Sequence, residues 1–267
     1  MDNSDFLGRR GMRRNLQRAS GGRIRAMGGD IVAAKAFSRK QAVFNEKAAQ
    51  YANSGVITTP GFLRLESLAP TTAVSQFTFN TLDTSGVKTS TERRLKLADT
   101  FTITDLSFYL GTGTCTANAP TAAQYASQRL LTHPNPSVVG FTGGVADLLE
   151  AVYNGFLTVR VDTTTFIDSL PMRAFYRVGT SQQVTAATNQ NGIARDEFPL
   201  AMYGRTDLLP TIELNGQSNI DISITLPNAT VCSATTTGNF INMVLFAQGF
   251  LNQGAATTQR NLQRALR

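Results

Sequence analysis

Residues 219–226 read Asn-Ile-Asp-Ile-Ser-Ile-Thr-Leu, and this stretch decides the fold class. Apolar side chains occupy every second position, so in an extended chain they all point to one side. Such alternation is typical of a strand that buries one face in a core and turns the other to water. The stretch therefore predicts an antiparallel sheet with one buried face.

Patterns with the same period of two surround this strand. Thr211–Leu214 is the first arm of a predicted hairpin that turns at Asn215–Ser218. Phe240–Phe250 is apolar almost throughout, which is typical of a central strand covered on both faces. Further strands are predicted at Phe62–Leu68, Ser75–Leu82, Leu95–Leu110, Phe156–Asp162 and Met172–Val178.

Irregular segments separate these strands. The alternation in Leu95–Leu110 changes phase at Asp105, which predicts a β-bulge or bend. Short helices are predicted at Ala122–Leu131 and Val145–Tyr153. Many strands, few helices and no alternation of strands with helices predict a mainly β fold, an antiparallel β-sandwich of jelly-roll type.

The charge is distributed unevenly along the chain. Residues 1–47 hold eleven Lys and Arg against four acids, a net charge of +7, whereas residues 48–249 are at −3. The end of the chain adds three arginines and no acid. We interpret residues 1–29 as a basic flexible arm, 30–54 as an amphipathic helix, 55–250 as the β-sandwich body and 251–267 as a basic tail.

Three aromatic residues mark one face of the predicted helix. Phe37, Phe44 and Tyr51 recur every seven residues, which gives a narrow apolar stripe. Asp30 is suited to cap the start of the helix. The stripe is expected to pack on the body or, where it is exposed on the isolated subunit, to serve as an assembly contact.

The two ends predict a nucleic-acid interface. Arginine binds phosphate in a bidentate manner, and a dense arginine cluster releases the counterions of a polyanion. No aromatic residue is interleaved after Phe6, so the expected binding does not depend on base sequence. The alternatives are a contact with a protein or membrane surface, or a merely solvated terminus.

The sequence Arg-Asn-Leu-Gln-Arg-Ala occurs at residues 14–19 and again at 260–265, which suggests the same role for both ends. The predicted contacts are Arg9, Arg10, Arg13, Arg14, Arg18, Arg23, Arg25, Arg260, Arg264 and Arg267.

Catalytic and metal-binding patterns find little support. His133 is the single histidine, and its Thr-His-Pro context is typical of a turn. Cys115 and Cys232 are too few for a zinc site and are expected to be free thiols. Pairs of acids, Asp162 with Asp168 and Asp196 with Glu197, are more typical of solvated positions than of an active site. We predict no enzyme activity, no metal and no cofactor.

Targeting signals are not predicted either. The N-terminus has no apolar run of signal-peptide length, and no stretch approaches the ~20 apolar residues that span a bilayer. We expect a protein made in a reducing cytoplasm.

A basic arm rich in Gly and Arg before a β body rich in Thr, Asn and Gln resembles the jelly-roll capsid proteins of small icosahedral viruses. Leu209–Gly216, Ile220–Leu226 and Phe240–Phe250 are similar to segments of bacteriophage virion proteins. The resemblance implies a capsid subunit of the virion that self-assembles in many copies, contacts other virion proteins and meets the packaged genome through its arm.

Several alternatives stay open. The chain could be a minor capsid, decoration or connector protein, or belong to the double-jelly-roll capsids of lipid-containing phages. An internal membrane is not indicated by the sequence. A cellular carbohydrate-binding or hydrolytic β-sandwich is the alternative of another class. It predicts exposed aromatic platforms and paired carboxylates in a cleft, and the lack of Trp disfavours it.

Overall fold

The computed structural model describes residues 28–52, 54–84, 88–115, 120–134, 145–177, 204–230 and 239–258. The chain divides between Val43 and Phe44 into two units. The strands all belong to the unit that begins at Phe44, and the contacts given below lie within that unit.

Strands dominate the described residues, and the helices are few. The nine strands are β1 (Ile57–Leu68), β2 (Val74–Phe79), β3 (Thr100–Thr114), β4 (Arg129–Leu131), β5 (Phe156–Val161), β6 (Thr164–Pro171), β7 (Arg205–Asn215), β8 (Ile220–Thr230) and β9 (Asn239–Gln253). The helices are α1 (Gly28–Tyr51), α2 (Ala122–Ala126), α3 (Val145–Tyr153) and a 3₁₀ turn (Met172–Phe175).

The strands form two antiparallel sheets. In sheet A the order is β1-β9-β3, and β3 has two further neighbours: β7 along its first part and β4 near its end. Sheet B has the order β2-β8-β5-β6. Every pair of these strands that shares a ladder is antiparallel. The predicted mainly β, antiparallel class is confirmed. The predicted hairpin is wrong, because its two arms lie in different sheets: β7 pairs with β3 in sheet A, and β8 pairs with β2 and β5 in sheet B.

One hydrophobic core receives side chains from both sheets. In β8, Ile222 and Ile224 are buried while Asp221 and Thr225 are exposed, as the alternation predicts. Ser223 is an exception because it is buried although it alternates with the isoleucines. Burial of one such aliphatic side chain is worth roughly 1.5–3 kcal/mol, so this core is the main source of stability of the body.

The bulge predicted at Asp105 is confirmed one residue earlier. Ile103 pairs with Gly249 and Asp105 pairs with Gln248, so Thr104 is an extra residue in β3. An extra residue reverses the side-chain alternation. Apolar side chains on both sides of the bulge therefore point into the same core.

The strand predicted at Met172–Val178 is wrong. Met172 and Phe175 are both buried, and a 3₁₀ turn with three residues per turn brings them to one side. The strand β6 lies just before them and was not predicted. Its alternation is interrupted because Ser169 has a φ of 58° and the pairing with β5 shifts register twice.

The helix predicted at Ala122–Leu131 is shorter than expected. A capping box formed by Thr121 and Gln124 begins α2, which ends at Ala126. Arg129–Leu131 is then β4, because its backbone pairs with β3. The predicted helix at Val145–Tyr153 is confirmed.

Candidate functional site

The basic ends carry the nucleic-acid prediction, and all ten of their arginines, between residues 9 and 25 and between 260 and 267, lie outside the described residues. Their role therefore stays a prediction.

The second half of α1 packs on the outer face of sheet A. The ring of Phe44 lies 5.4 Å from that of Phe250 on β9. Lys47 forms an ion pair of 2.5 Å with Glu213 on β7. Tyr51 is buried, and its hydroxyl lies 3.5 Å from the other oxygen of Glu213. An aromatic contact and a partly buried ion pair thus hold this half of the helix.

The three residues of the aromatic stripe differ in their burial. Phe44 and Tyr51 make the contacts just described, inside the subunit. Phe37 is 71% exposed. Among the three stripe residues, Phe37 is therefore the most exposed.

A second aromatic group lies on the outer face of sheet A. The ring of Phe246 is 6.0 Å from Phe62 and 5.6 Å from Tyr109, and the Arg64 guanidinium lies 5.4 Å above it. Phe62 is half exposed. The cluster gives this face an aromatic surface beside β1.

A buried carboxylate is the centre of a polar cluster at the other end of this face. The side chain of Glu66 on β1 is 1% exposed. Five donors satisfy its two oxygens, which leaves no lone pair for a reacting proton. They are Arg64 at 2.7 Å, Thr91 at 2.6 Å, Gln128 at 3.4 Å, Thr89 at 3.0 Å and Asn242 at 2.9 Å.

Glu92 is the second buried carboxylate of this cluster. Its side chain is 1% exposed and accepts from the guanidinium of Arg94 at 2.7 Å. The backbone N–H groups of Thr89 and Glu66 also donate to it, at 3.3 and 3.4 Å. The two glutamates therefore hold the segment 88–94 against β1.

A cavity of about 370 Å³ lies beside the two glutamates. Tyr125 and Asn242 are among its lining residues. Burial raises the pKa of Tyr125 above its ordinary value, and the nearby charges of Glu66 and Glu92 raise it further. The Oδ1 atom of Asn242 is buried without a hydrogen-bond partner. The walls of the cavity are thus formed largely by polar residues of this cluster.

A cluster around α3 contains the single histidine. The Tyr176 hydroxyl and Arg173 donate to the two oxygens of Glu150, at 2.8 and 2.7 Å. Tyr176 also meets Tyr153 edge to face at 4.9 Å and His133 at 6.3 Å. His133 is half-buried rather than exposed, and its nearest ring is a tyrosine. These contacts are typical of packing at the end of a sandwich.

The acidic pairs weighed in the sequence do not form a common site. Asp162 is exposed at a turn, where it accepts from the backbone of Asn219 at 2.8 Å. Asp168 is exposed on β6. Asp196 and Glu197 lie outside the described residues.

Three further sequence predictions concern metals, thiols and membranes. No group of three or more His, Cys, Asp or Glu that could hold a metal occurs in the described part of the chain. Cys115 is free and buried, and Cys232 lies outside that part. A search of the described residues finds no helix with the length and hydrophobicity needed to cross a membrane.

Sequence reasoning missed the Glu66 cluster. Glu66 and Glu92 are separated by 26 residues, and Asn242 lies 176 residues beyond Glu66. The alternation of β1 puts Glu66 on the outer face, which indicated a solvated position. The polar stretch 88–94 gave no signal that it covers this face.

The chain was also compared with known proteins. A scan against models of protein families finds no match, and a search of curated proteins finds no similar sequence.

Proposed function

We propose that the two sheets form a jelly roll. In an eight-stranded jelly roll the first strand pairs with the last, the second with the seventh, the third with the sixth and the fourth with the fifth. When the short strand β4 is left out, eight strands remain. Their pairs are β1 with β9, β2 with β8, β3 with β7 and β5 with β6. This nested pairing supports the jelly-roll assignment.

From this architecture we infer the class of the protein, a structural protein that acts by assembly. Its particular role, in our proposal, is that of a capsid subunit, in the virion of a bacteriophage. Many copies form an icosahedral shell, and the basic ends contact the packaged genome without sequence preference. The nested strand pairing carries the proposal, and the confinement of positive charge to the two ends supports it.

The proposed mechanism is electrostatic concentration followed by association of the bodies. Arms with a net charge of +5 gather subunits on a polyanion and reduce the repulsion between its phosphates. Bodies at −3 carry little charge for their size and associate through large, weakly charged faces.

One jelly roll accounts for the strands in the described residues, which favours a single roll over two. The same body would also suit a minor capsid, decoration or connector protein. Copy number in the purified particle separates these roles, because a shell subunit is the most abundant protein.

The cavity beside Glu66 and Glu92 favours a second candidate function, the binding of a small carbohydrate. Tyr125 contributes a partly buried aromatic ring and a hydroxyl to its lining, while Glu66 and Glu92 are already hydrogen-bonded within the protein. Saturation-transfer NMR with glucose, galactose and N-acetylglucosamine tests this function. A saturation-transfer signal that the wild type gives and Ala122→Trp, which fills the cavity from its wall, does not give would support carbohydrate binding. The lack of any signal with the wild type would exclude this function.

Negative-stain microscopy of the full-length chain, with and without nucleic acid at two salt concentrations, tests the capsid proposal. We expect closed shells or regular rings that nucleic acid favours at low salt. A monodisperse monomer that ignores nucleic acid under all conditions would overturn the proposal.

A further inference from the structure

Two arginines lie at the ends of one row of side chains that crosses the outer face of sheet A. Phe246 of β9 pairs with Arg64 of β1 on one side and with Ser107 of β3 on the other. Ser107 in turn pairs with Arg205 of β7. Side chains that pair directly in antiparallel strands point to the same face, so a ring and a hydroxyl lie between two cations. The row spans three strand spacings, about 14 Å.

Two further rings flank Phe246 along a line that crosses this row. The ring of Phe62 lies 6.0 Å from that of Phe246, and the ring of Tyr109 lies 5.6 Å from it. Phe62 pairs with Gln248 and Tyr109 is level with Val244, so the two rings lie on opposite sides of the row. Phe62 is half exposed, and the other two rings are half-buried. Paired strands carry all three rings, so the backbone holds them in place before a partner arrives.

The two arginines have donor groups that the described residues do not fully satisfy. Nε of Arg64 donates to Glu66 at 2.7 Å, but its Nη2 atom is buried without a hydrogen-bond partner. Nε of Arg205 lies 4.0 Å from a carboxylate oxygen of Asp105, which is too far for a hydrogen bond. The Arg205 side chain is 28% exposed, so a phosphate of a partner can reach this guanidinium.

The charges around the rings favour stacking over ion pairing as the main source of affinity. Each arginine has a carboxylate near it, Glu66 or Asp105. The exposed Asp207 adds a negative charge on β7. A partner held by charge alone is therefore disfavoured, whereas planar bases stack on aromatic rings without a net positive charge.

We propose that this aromatic face, formed by Phe62, Tyr109 and Phe246, binds unpaired bases of a single-stranded nucleic acid. One base stacks on Phe62 and another on Tyr109, while Arg205 contacts a phosphate. The inference rests on the capsid function, which brings the genome to the subunit, and it adds a base contact to the phosphate contacts of the basic ends. The bases of a duplex are already stacked and paired, so the aromatic face is expected to select single strands.

Photo-crosslinking of the full-length chain tests the contact directly. The probe is a short single-stranded DNA oligonucleotide that carries 5-iodouracil, and it is compared with the same strand in a duplex. Crosslinks from the single strand to Phe62 or Tyr109 are the expected result. Crosslinks confined to residues 1–27 and 259–267, or equal yields at the two rings from the duplex, would overturn the proposal.

A substitution then measures the contribution of one ring. It is made in the full-length chain whose seven arginines between residues 9 and 25 are changed to glutamine, so that the arm does not mask the body. Phe62→Ala is expected to weaken binding of the single strand about tenfold, within the usual contribution of one stacked base. Phe62→Tyr keeps the ring and should bind like the parent chain.

Phe166→Ala is the matched control for this substitution. Phe166 is exposed to a similar degree, 44% against 50% for Phe62, but it lies on β6 of sheet B. The control should bind like the parent chain, and circular dichroism checks that all variants fold. Equal affinities of Phe62→Ala and Phe166→Ala would contradict a base contact at Phe62.

Fluorescence distinguishes stacking from a purely ionic contact. The chain contains no Trp, so the emission of 2-aminopurine in the oligonucleotide can be followed without interference. Stacking quenches this emission, and Phe62→Ala should reduce the quenching of the bound strand. The ratio of the parent and Phe62→Ala affinities should be the same at low and high salt, because salt screens charges rather than stacked rings. A ratio that falls to one at high salt would refute stacking.

The outcomes separate this inference from the capsid proposal. Shells that form while no base is crosslinked to Phe62 or Tyr109 would refute the base contact and leave the capsid function standing. Crosslinks at these rings in a chain that forms no shell would support the base contact and remove the shell.

Discussion

Glu66 connects five donors from four segments of the chain, and its carboxylate is closed to solvent. Arg64 alone neutralises it directly, through Nε at 2.7 Å. Removing such an acceptor leaves buried donors without a partner, which is more destabilising than the loss of a surface ion pair. The cluster therefore contributes to stability through the complete hydrogen bonding of the Glu66 carboxylate.

Glu66→Ala is expected to lower the free energy of unfolding by about 3–5 kcal/mol. Asp83→Ala is the matched control because Asp83 pairs with Lys88 at 3.0 Å with both side chains about one third exposed. The control is expected to lose about 1 kcal/mol or less. Urea unfolding measures both, and equal losses would show that the cluster is no stronger than a surface pair.

Tyr153 is a buried tyrosine whose hydroxyl has no hydrogen-bond partner. Burial raises its pKa above the ordinary value, and the neighbouring Tyr176 and Glu150 raise it further. The folded chain thus keeps this proton at pH values where the unfolded chain loses it. The free energy of unfolding is therefore unaffected by Tyr153 ionisation below about pH 10, and it falls as the pH rises above that value.

Tyr153→Phe is expected to leave stability at pH 7 unchanged or raise it by about 1 kcal/mol, because an unsatisfied hydroxyl is removed. It should also flatten the fall in stability above about pH 10. Tyr176→Phe is the control, since its hydroxyl donates to Glu150 at 2.8 Å, and it should lose about 1 kcal/mol. Thermal melts of both variants between pH 7 and 11 test these expectations. A Tyr153→Phe variant that is less stable than the wild type at pH 7 would contradict this account.

At the bulge of β3, the backbone of that strand lies directly against Gly249 of β9. A Cβ on Gly249 would overlap the carbonyl oxygen of Thr102, which belongs to the backbone and cannot turn away. Gly61 lies directly opposite Gly249 in β1, and a Cβ there would make only ordinary contacts of 3.6 Å. The bulge thus requires glycine on one strand only.

Gly249→Ala is expected to lower the free energy of unfolding by about 2–3 kcal/mol through overpacking. Gly61→Ala should be neutral or slightly stabilising, since alanine restricts the unfolded chain. Chemical unfolding of both variants tests the difference. A Gly249→Ala variant as stable as the wild type would show that the ladder relaxes around the bulge.

The strands that the sequence predicted have a more regular alternation of apolar and polar side chains than the strand that it missed. The clean alternation of β8 and the phase change of β3 were readable because each side chain faces either core or solvent. In β6 most side chains are exposed, and Ser169 has a positive φ, so no period of two remains. Long-range pairing, rather than local pattern, makes that segment a strand.

In our proposal, the two tasks of the molecule, assembly and contact with the genome, fall to different parts of the chain. The described core draws its side chains from residues 63–247, whereas the excess positive charge lies at the ends. Local composition was sufficient to predict this partition and the antiparallel class. The nested order of the strands was not predictable strand by strand, because it depends on which distant segments pair.

Deletion of residues 1–27 tests the arm while leaving α1 and the strands intact. The body should keep its melting temperature, since the core of the described residues begins at Leu63. Binding to a single-stranded oligonucleotide should weaken, and the slope of log K against log salt should fall by about 0.7 for each phosphate that the arm no longer neutralises. Fluorescence anisotropy at several salt concentrations measures both the affinity and the slope.

A full-length chain with its seven arginines between residues 9 and 25 changed to glutamine is the matched control for length. It should behave like the deletion, and a scrambled oligonucleotide should bind the wild type equally well. Unchanged salt dependence in both variants would assign the genome contact elsewhere, and an unfolded deletion variant would show that the arm belongs to the fold.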